Sequence, residues 1–300
     1  MDYIIILIQA VIQGLTEFLP VSSSGHLSVV QHFFDVGEAG LTLSIFLHFG
    51  TLIAVLVAFR GAVGGMIKEF FLSIADIFTL KFTRKEYRFF GKDINDDRRM
   101  LFMVILGTLL LIPVVFIKDF FTAPMNDGDI IFEGAAFIFT ATLLFMADSC
   151  VKGIKTPKEM QVKDALLVGF FQIIALFPGV SRSGSTISAG LFGGLSRKTA
   201  VTFSFMLGIP AILGACLLEV RELSRDGGLE LSALTNDYSW VVLGMGFVVS
   251  MIVGLLAIKL VKLLIKKQKF KIFAIYTLTI GVLCIAWGVF ETVTGTTFRF

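Results

Sequence analysis

Val21-Ser22-Ser23-Ser24-Gly25 and Val180-Ser181-Arg182-Ser183-Gly184 echo each other about half a chain apart. Each follows an apolar helical run that ends in proline, Pro20 in the first copy and Pro178 in the second. A polar, hydroxyl-rich break at matching places in two hydrophobic halves is how an internally repeated membrane protein builds a site at mid-membrane. The first copy carries Glu17 and His26 and the second carries Arg182. Together they bring an acid, a base and a cation, which suits the handling of phosphate.

The surrounding composition agrees. The 300-residue chain is 56% hydrophobic and 16% charged, with a mean hydropathy of +0.87. A soluble protein sits near about 25% charged, so this composition indicates an integral membrane protein. The net charge of +3 says little and the placement of the charges says more; no nucleic-acid partner is expected. Three scattered cysteines, Cys150, Cys216 and Cys284, form no disulfide or metal pattern and read as packing residues. The Met1-Asp2-Tyr3 start lacks a basic region and is not expected to be a cleaved signal peptide.

A bilayer-crossing helix needs about 20 apolar residues. Six segments approach that length: 41–59, 100–117, 130–147, 199–218, 239–261 and 272–290. Two regions fit differently. Residues 3–19 run into the first serine break and only 27–34 follow, while 165–177 run into the second break and 185–195 follow. Each reads as a pair of half-helices that enters and turns back. Broken backbone at membrane depth is tolerated only where protein buries it or water lines it. The region least secure as a half-helix is 3–19, which is long enough for a seventh span.

Lysine and arginine set the expected orientation. The 60–99 stretch carries nine, 148–164 carries four lysines and 259–271 carries six, whereas 118–129 has one and 219–238 has two, outnumbered by acids. The basic stretches are expected in the cytoplasm, with both termini outside. Each half then has three spans and one re-entrant pair. Three is odd, so the second half is inverted relative to the first. The expected fold is an all-α polytopic membrane protein in one membrane domain, 1–300, with repeats of about 1–150 and about 160–300. Its first re-entrant pair enters from outside and its second from the cytoplasm, so that their tips meet. A helix over Met66–Leu80 is expected to lie on the cytoplasmic face, and the Lys259–Lys271 cluster to anchor there.

At the first tip, Gln13 and Glu17 are four apart and share a helix face. Ser22, Ser23 and Ser24 precede the next helix, where serine caps the free N–H groups and where those groups can also hold an anion. His26, beyond Gly25, can act as acid, base or nucleophile. At the second tip Ser181, Ser183, Gly184, Ser185 and Thr186 surround Arg182. An arginine at mid-bilayer costs roughly 2.5–3.5 kcal/mol on insertion scales and needs a partner or an anionic ligand. Its fork suits a phosphate in bidentate fashion, or a salt bridge to Glu17 that opens on binding. His48, with Gly50 and Thr51, is a further polar group near the site. Ser204 aligns with Ser44, and Asp148 is expected at the cytoplasmic interface.

Gln13-Gly-Leu-Thr-Glu17-Phe-Leu-Pro-Val-Ser-Ser-Ser-Gly-His26 and Pro178-Gly-Val-Ser-Arg-Ser-Gly-Ser-Thr186 resemble the two signature motifs of the undecaprenyl-diphosphatase family, the bacitracin-resistance proteins. The resemblance extends to the span pattern and to Phe203-Ser-Phe and Phe273-Ala-Ile-Tyr276. The family's first motif begins with Glu or Gln. Here it is Gln13, which leaves Glu17 as the only acid in the motif.

The resemblance implies a plasma-membrane hydrolase that removes the terminal phosphate of undecaprenyl diphosphate and so recycles the lipid carrier for cell-wall synthesis. It also implies an active site open to the outer face, a homodimer, and a divalent cation, Mg²⁺ or Ca²⁺, with Glu17 as a candidate ligand. Gln13, Ser22, Ser24, Gly25, Ser181, Ser183, Gly184 and Thr186 would bind the diphosphate. In one scheme Ser23 attacks, with Ser22 the second candidate, His26 takes its proton and Glu17 orients His26. Alternatively His26 is the nucleophile, or Glu17 binds a metal that activates water. A transporter or flippase of polyprenyl phosphate lipid is the alternative from another class, because broken helices and a midplane cation are also transporter features. A phosphatidic-acid-type phosphatase is disfavoured, since no histidine follows Ser181-Arg182.

Overall fold

Apolar helices and their breaks dictate the architecture. The computed structural model describes residues 2–34, 41–78, 95–117, 120–121, 130–150, 153–225, 239–266 and 270–296. They form α1 (Asp2–Thr16), α2 (Ser23–Phe34), α3 (Leu41–Ala58), α4 (Arg60–Phe78), α5 (Asp96–Leu109), α6 (Ile131–Ser149), α7 (Val162–Ile174), α8 (Arg182–Phe192), α9 (Arg197–Arg225), α10 (Trp240–Lys266) and α11 (Lys271–Thr294). By length and composition, five helices can cross a membrane among the described residues, or six if the bent pair α3–α4 counts as one span. The protein is thus all-helical and polytopic. Five of the six long apolar segments of the sequence lie essentially on one of these helices, and the sixth, 100–117, runs on from α5 through a turn into a 3-10 helix at Pro113–Ile117.

The four helices next to the serine breaks are short, from 15 residues in α1 to 11 in α8. None reaches the roughly 20 residues of a full span. α1 packs on α2, and α7 on α8. Around them, α3 pairs with α10 and α6 with α11 in the two most extensive helix contacts, while α9 bridges α3 and α8. Glycines set the closeness of these pairs. A Cβ on Gly134 would stand 2.9 Å from the Gly281 carbonyl, and one on Gly14 would stand 2.6 Å from the Ser250 carbonyl. Small residues at such crossings let backbones approach, which is what drives helix association when lipid is as apolar as the side chains.

Two of the cations of the 60–99 stretch, Arg98 and Arg99, behave differently from simple loop cations. α4 begins at Arg60 and runs at 87° to α3, so the helix expected over Met66–Leu80 is longer at its start, and its last two residues lie outside the described ones. Lys262 of α10 covers the bend, donating to the Ala58 carbonyl at 3.1 Å with its ammonium 3.6 Å from the centre of the Phe59 ring. Arg98 and Arg99 are buried in the first turn of α5. Arg98 donates to Glu69 at 2.7 Å and to Asp76 at 2.9 Å, both on α4, and Arg99 donates to the Met160 carbonyl. These cations tie α4 to α5 and α5 to the segment before α7.

Arg98→Met would strand two carboxylates in a buried site. Breaking such a pair costs about 3 kcal/mol or more, so thermal unfolding in detergent should show a marked fall in stability. Adding Glu69→Gln should recover part of the loss.

Candidate active site

The two serine breaks cap their helices in the same way. Ser22 accepts from the Gly25 N–H at 3.2 Å, and Ser181 accepts from the Gly184 N–H at 3.1 Å. Each places a hydroxyl on an otherwise free donor of the first turn. The position two residues on repeats as well: Ser24 stands 3.4 Å from Ser22, and Ser183 stands 3.3 Å from Ser181. These second serines then cross over. Ser24 accepts from the backbone N–H of Gly179 at 3.2 Å, and Ser183 donates to the Leu19 carbonyl at 2.9 Å. The tip of α1–α2 and the tip of α7–α8 are thereby joined by a reciprocal pair of bonds. Thr140 of α6 accepts from the Ser181 N–H at 3.1 Å and steadies the second tip.

The middle positions of the two motifs, Ser23 and Arg182, converge on one carboxylate. Arg182 Nη2 donates to Glu17 Oε1 at 2.9 Å. Ser23 Oγ donates to Glu17 Oε2 at 2.9 Å, and Gln13 Nε2 donates to the same oxygen at 3.1 Å. Glu17 is held in place because the helical path of α1 continues one turn, with its N–H on the Gln13 carbonyl. The other guanidinium nitrogen, Arg182 Nη1, is buried without a hydrogen-bond partner and lies over Gly208 of α9, where a Cβ would come within 2.1 Å. Only glycine leaves room there. Thr186 closes the group, donating to the Arg182 carbonyl and standing 2.6 Å from Ser204.

His26 stands apart from Glu17. Its Nδ1 is 2.6 Å from the Ser22 carbonyl, an acceptor only, so Nδ1 carries the proton. Its Nε2 therefore accepts from the Tyr276 hydroxyl of α11 at 2.8 Å. The Tyr276 ring is stacked parallel to the imidazole, and Phe137 meets it edge-on. The expected chain of Ser23, His26 and Glu17 is therefore rearranged: Glu17 touches Ser23 directly, and the groups orienting His26 are Ser22 and Tyr276. His26 and Ser23 still share a face of α2, three residues apart.

Four further groups escaped the reading of the motifs. Tyr276 was legible only as part of an apolar phrase. Ser28 donates to Glu133 at 2.7 Å, His32 pairs with Glu291 at 2.8 Å, and Ser44 donates to Glu219 at 2.8 Å. The signal for these was a carboxylate within or at the end of an apolar segment, which is costly without a partner. Asp148 pairs with Arg197 at 3.3 Å. Among the described residues, no group of three His, Cys, Asp or Glu side chains forms a metal cluster.

Comparison with known proteins places this geometry in context. The family described as bacitracin resistance protein BacA matches residues 6–283. An undecaprenyl-diphosphatase of Alkaliphilus metalliredigens is 39% identical over 281 residues, 93% of this chain and 96% of the relative. One from Methanosphaera stadtmanae is 36% identical over 96% of this chain and 99% of its own. The undecaprenyl-diphosphatase 4 of Bacillus thuringiensis strain Al Hakam is 34% identical over 95% and 97%.

The joint between the tips depends on Gly25, where a Cβ would stand 2.7 Å from Phe137 and 3.0 Å from the Gly179 backbone. Gly25→Val should lower thermal stability in detergent by about 1–3 kcal/mol through overpacking. It should also speed hydrogen exchange at both tips, because the reciprocal bonds cannot close.

Proposed function

This chain belongs to the bacitracin resistance protein BacA family, and on that premise we propose that it hydrolyses undecaprenyl diphosphate to undecaprenyl phosphate and inorganic phosphate. The observation that carries the reading is the single carboxylate of Glu17, shared between a serine hydroxyl and a guanidinium that retains an unpartnered nitrogen. A nucleophile and an anion-binding cation thus meet on the carboxylate that serves as base. The names of the relatives favour the hydrolase over the carrier alternative.

The diphosphate is held by Arg182 and by the N-terminal N–H groups of α2 and α8, where helix dipoles favour negative charge. Its charge competes with Glu17 for the guanidinium. Ser23 attacks the terminal phosphorus as Glu17 takes its proton, and undecaprenyl phosphate leaves. Once the Tyr276 hydroxyl turns away from His26 Nε2, that nitrogen takes a proton from the water that attacks the phosphoseryl intermediate. Ser23 regains its proton from Glu17, 2.9 Å away, as inorganic phosphate departs, and the proton taken from water is left on His26. Arg182 and the N–H groups stabilise charge on the transferring phosphoryl, the main demand of this reaction class. This assignment replaces the His26–Glu17 pairing expected from sequence, because Glu17 is 2.9 Å from Ser23 and engaged there.

The divalent cation implied by the family resemblance finds no resident cage among the described residues. Glu17 has both oxygens occupied, one of them by a cationic partner. A cation is therefore read as arriving with the diphosphate, neutralising its charge, rather than as held by Glu17. We read α1–α2 and α7–α8 as re-entrant pairs of an inverted repeat, on the support of their reciprocal tip bonds. The lysine and arginine distribution supports an outward-facing site with both termini outside the plasma membrane. The homodimer rests on the resemblance alone.

The direct test is phosphate release from a C55 or C15 prenyl diphosphate in detergent, with and without Mg²⁺ or Ca²⁺. Arg182→Ala, His26→Ala and Ser23→Ala should each reduce turnover by at least about 10²-fold while the protein stays folded. Near-normal turnover in Arg182→Ala would overturn the scheme. Gly208→Val, which touches no substrate, should lower kcat/KM by displacing Arg182.

A further inference from the structure

The scheme above ends each turnover with the proton of the attacking water on His26. The inference that follows rests on that reading. His26 must become a base again before the next cycle, so the ring has to shed the proton. Glu17 is not the outlet, because its oxygens bond Arg182, Ser23 and Gln13 instead. Nδ1 is not the outlet either. It faces the Ser22 carbonyl at 2.6 Å, inside a residue that is 2% exposed. A carbonyl oxygen accepts a hydrogen and has none of its own to pass on. The proton therefore leaves through Nε2.

Nε2 faces the Tyr276 hydroxyl at 2.8 Å. A phenol hydroxyl both donates and accepts, so it serves either form of the ring. To the neutral imidazole it gives its hydrogen. To the protonated imidazole it presents a lone pair, with its own hydrogen turned outward. The two rings are parallel to within 4°, with centroids 5.7 Å apart, which keeps the oxygen aimed at the nitrogen. The other ring on His26, Phe137, meets it edge-on at 5.1 Å and is fully buried, whereas Tyr276 is 42% exposed. The backbone beneath Tyr276 is fixed. Thr277 is buried and donates to the Phe273 carbonyl at 3.0 Å, and a Cβ on Gly281 would stand 2.7 Å from the Gly134 carbonyl of α6. The hydroxyl thus turns about its own bonds while α11 stays in place.

We propose that Tyr276 is the outlet for the product proton, acting through His26. The turn that frees Nε2 for the attacking water also points the hydroxyl hydrogen away from the ring. Once Nε2 is protonated, the Tyr276 oxygen takes that proton as its own hydrogen passes to a water at the open side. The N–H bond breaks and a new phenolic O–H forms, while the old O–H breaks and the water gains the proton. The phenol ends neutral, as it began, and again donates to a neutral imidazole. No electrons move, and the co-reactant is water. A residue that only held the ring would need the aromatic face and not a hydroxyl on the reacting nitrogen.

The experiment compares wild type with Tyr276→Phe, which keeps the ring and removes the hydroxyl. Phosphate release from a C15 prenyl diphosphate is followed in single-turnover and steady-state runs, in H2O and D2O and over a range of imidazole concentrations. Folding is checked by thermal unfolding. In Tyr276→Phe the first turnover should keep its rate within about twofold, since chemistry precedes the outlet step. Steady-state kcat should fall about tenfold with kcat/KM nearly unchanged, because a step after the chemistry becomes limiting. The solvent isotope effect on kcat should rise, and imidazole should restore kcat by taking the proton itself. A wild-type kcat in Tyr276→Phe would overturn the outlet while leaving the hydrolase reading intact. So would a slowed first turnover, or a loss that imidazole leaves unchanged, either of which would make Tyr276 a support for the ring alone. A folded wild type that releases no phosphate would overturn the hydrolase reading and the outlet with it.

Discussion

The ion pair between Glu17 and Arg182 is the constraint around which the rest is arranged. Each charge alone is costly in a bilayer. The two belong to different broken helix pairs, 165 residues apart in sequence. Pairing them therefore ties the two breaks together, and the polar backbone of each break becomes the lining of the other. The reciprocal bonds of Ser24 to Gly179 and Ser183 to Leu19 extend that tie to both sides of the pair. Buried pairs gain stability only when remaining lone pairs and protons are also satisfied. Glu17 meets this condition through Ser23 and Gln13, while Arg182 keeps Nη1 unsatisfied. The uncompensated group is the one a phosphate would complete.

Much of this was legible before any coordinates. The echo of the two motifs, the six apolar segments and the prolines that end the short helices sufficed to place the breaks and to bring Glu17, Ser23 and Arg182 into one candidate site. Partner choice within the site was not legible. Sequence spacing gives the face of a helix, but not which of two nearby hydrogen-bond acceptors a serine will choose. Ser23 and His26 share a face, so either could have met Glu17. The choice fell to Ser23 because the Ser22 carbonyl and Tyr276 claim both nitrogens of His26. Tyr276 comes from α11, 250 residues away, and no local pattern announces such a contact. Arg98 and Arg99 mislead in the opposite sense. Counted as loop charges, they set orientation, yet both are buried and serve packing.

Of the two residues the motif's first position admits, Glu or Gln, this chain has the amide, Gln13, and its contact with Glu17 says what that position does here. An amide at Gln13 donates to Glu17, whereas a carboxylate would accept, or would share a proton with it. With Gln13 the motif carries one negative charge opposite one positive charge. Anion binding then starts from a locally neutral pair, and an entering diphosphate needs to displace only one carboxylate from one face of the guanidinium.

The two tips are alike in their caps but not in how the chain reverses. In the second, the left-handed residue is Gly179, with φ at 81°, which carries no side-chain penalty. In the first it is Ser22, with φ at 71°, the one non-glycine residue with positive φ among those described. A serine in that region costs on the order of 1–3 kcal/mol and persists only where its surroundings over-determine it. Here they do. The same conformation turns the Ser22 hydroxyl onto the Gly25 N–H and the Ser22 carbonyl onto His26 Nδ1. A relaxed backbone at Ser22 would free both, and the imidazole would lose the bond that fixes its tautomer. The strain therefore falls in the tip that carries Ser23 and His26, and the tip that carries the arginine reverses at a glycine instead. Both halves contribute a charge to the pair, and the strained turn of the first also holds a proton in a defined place on His26.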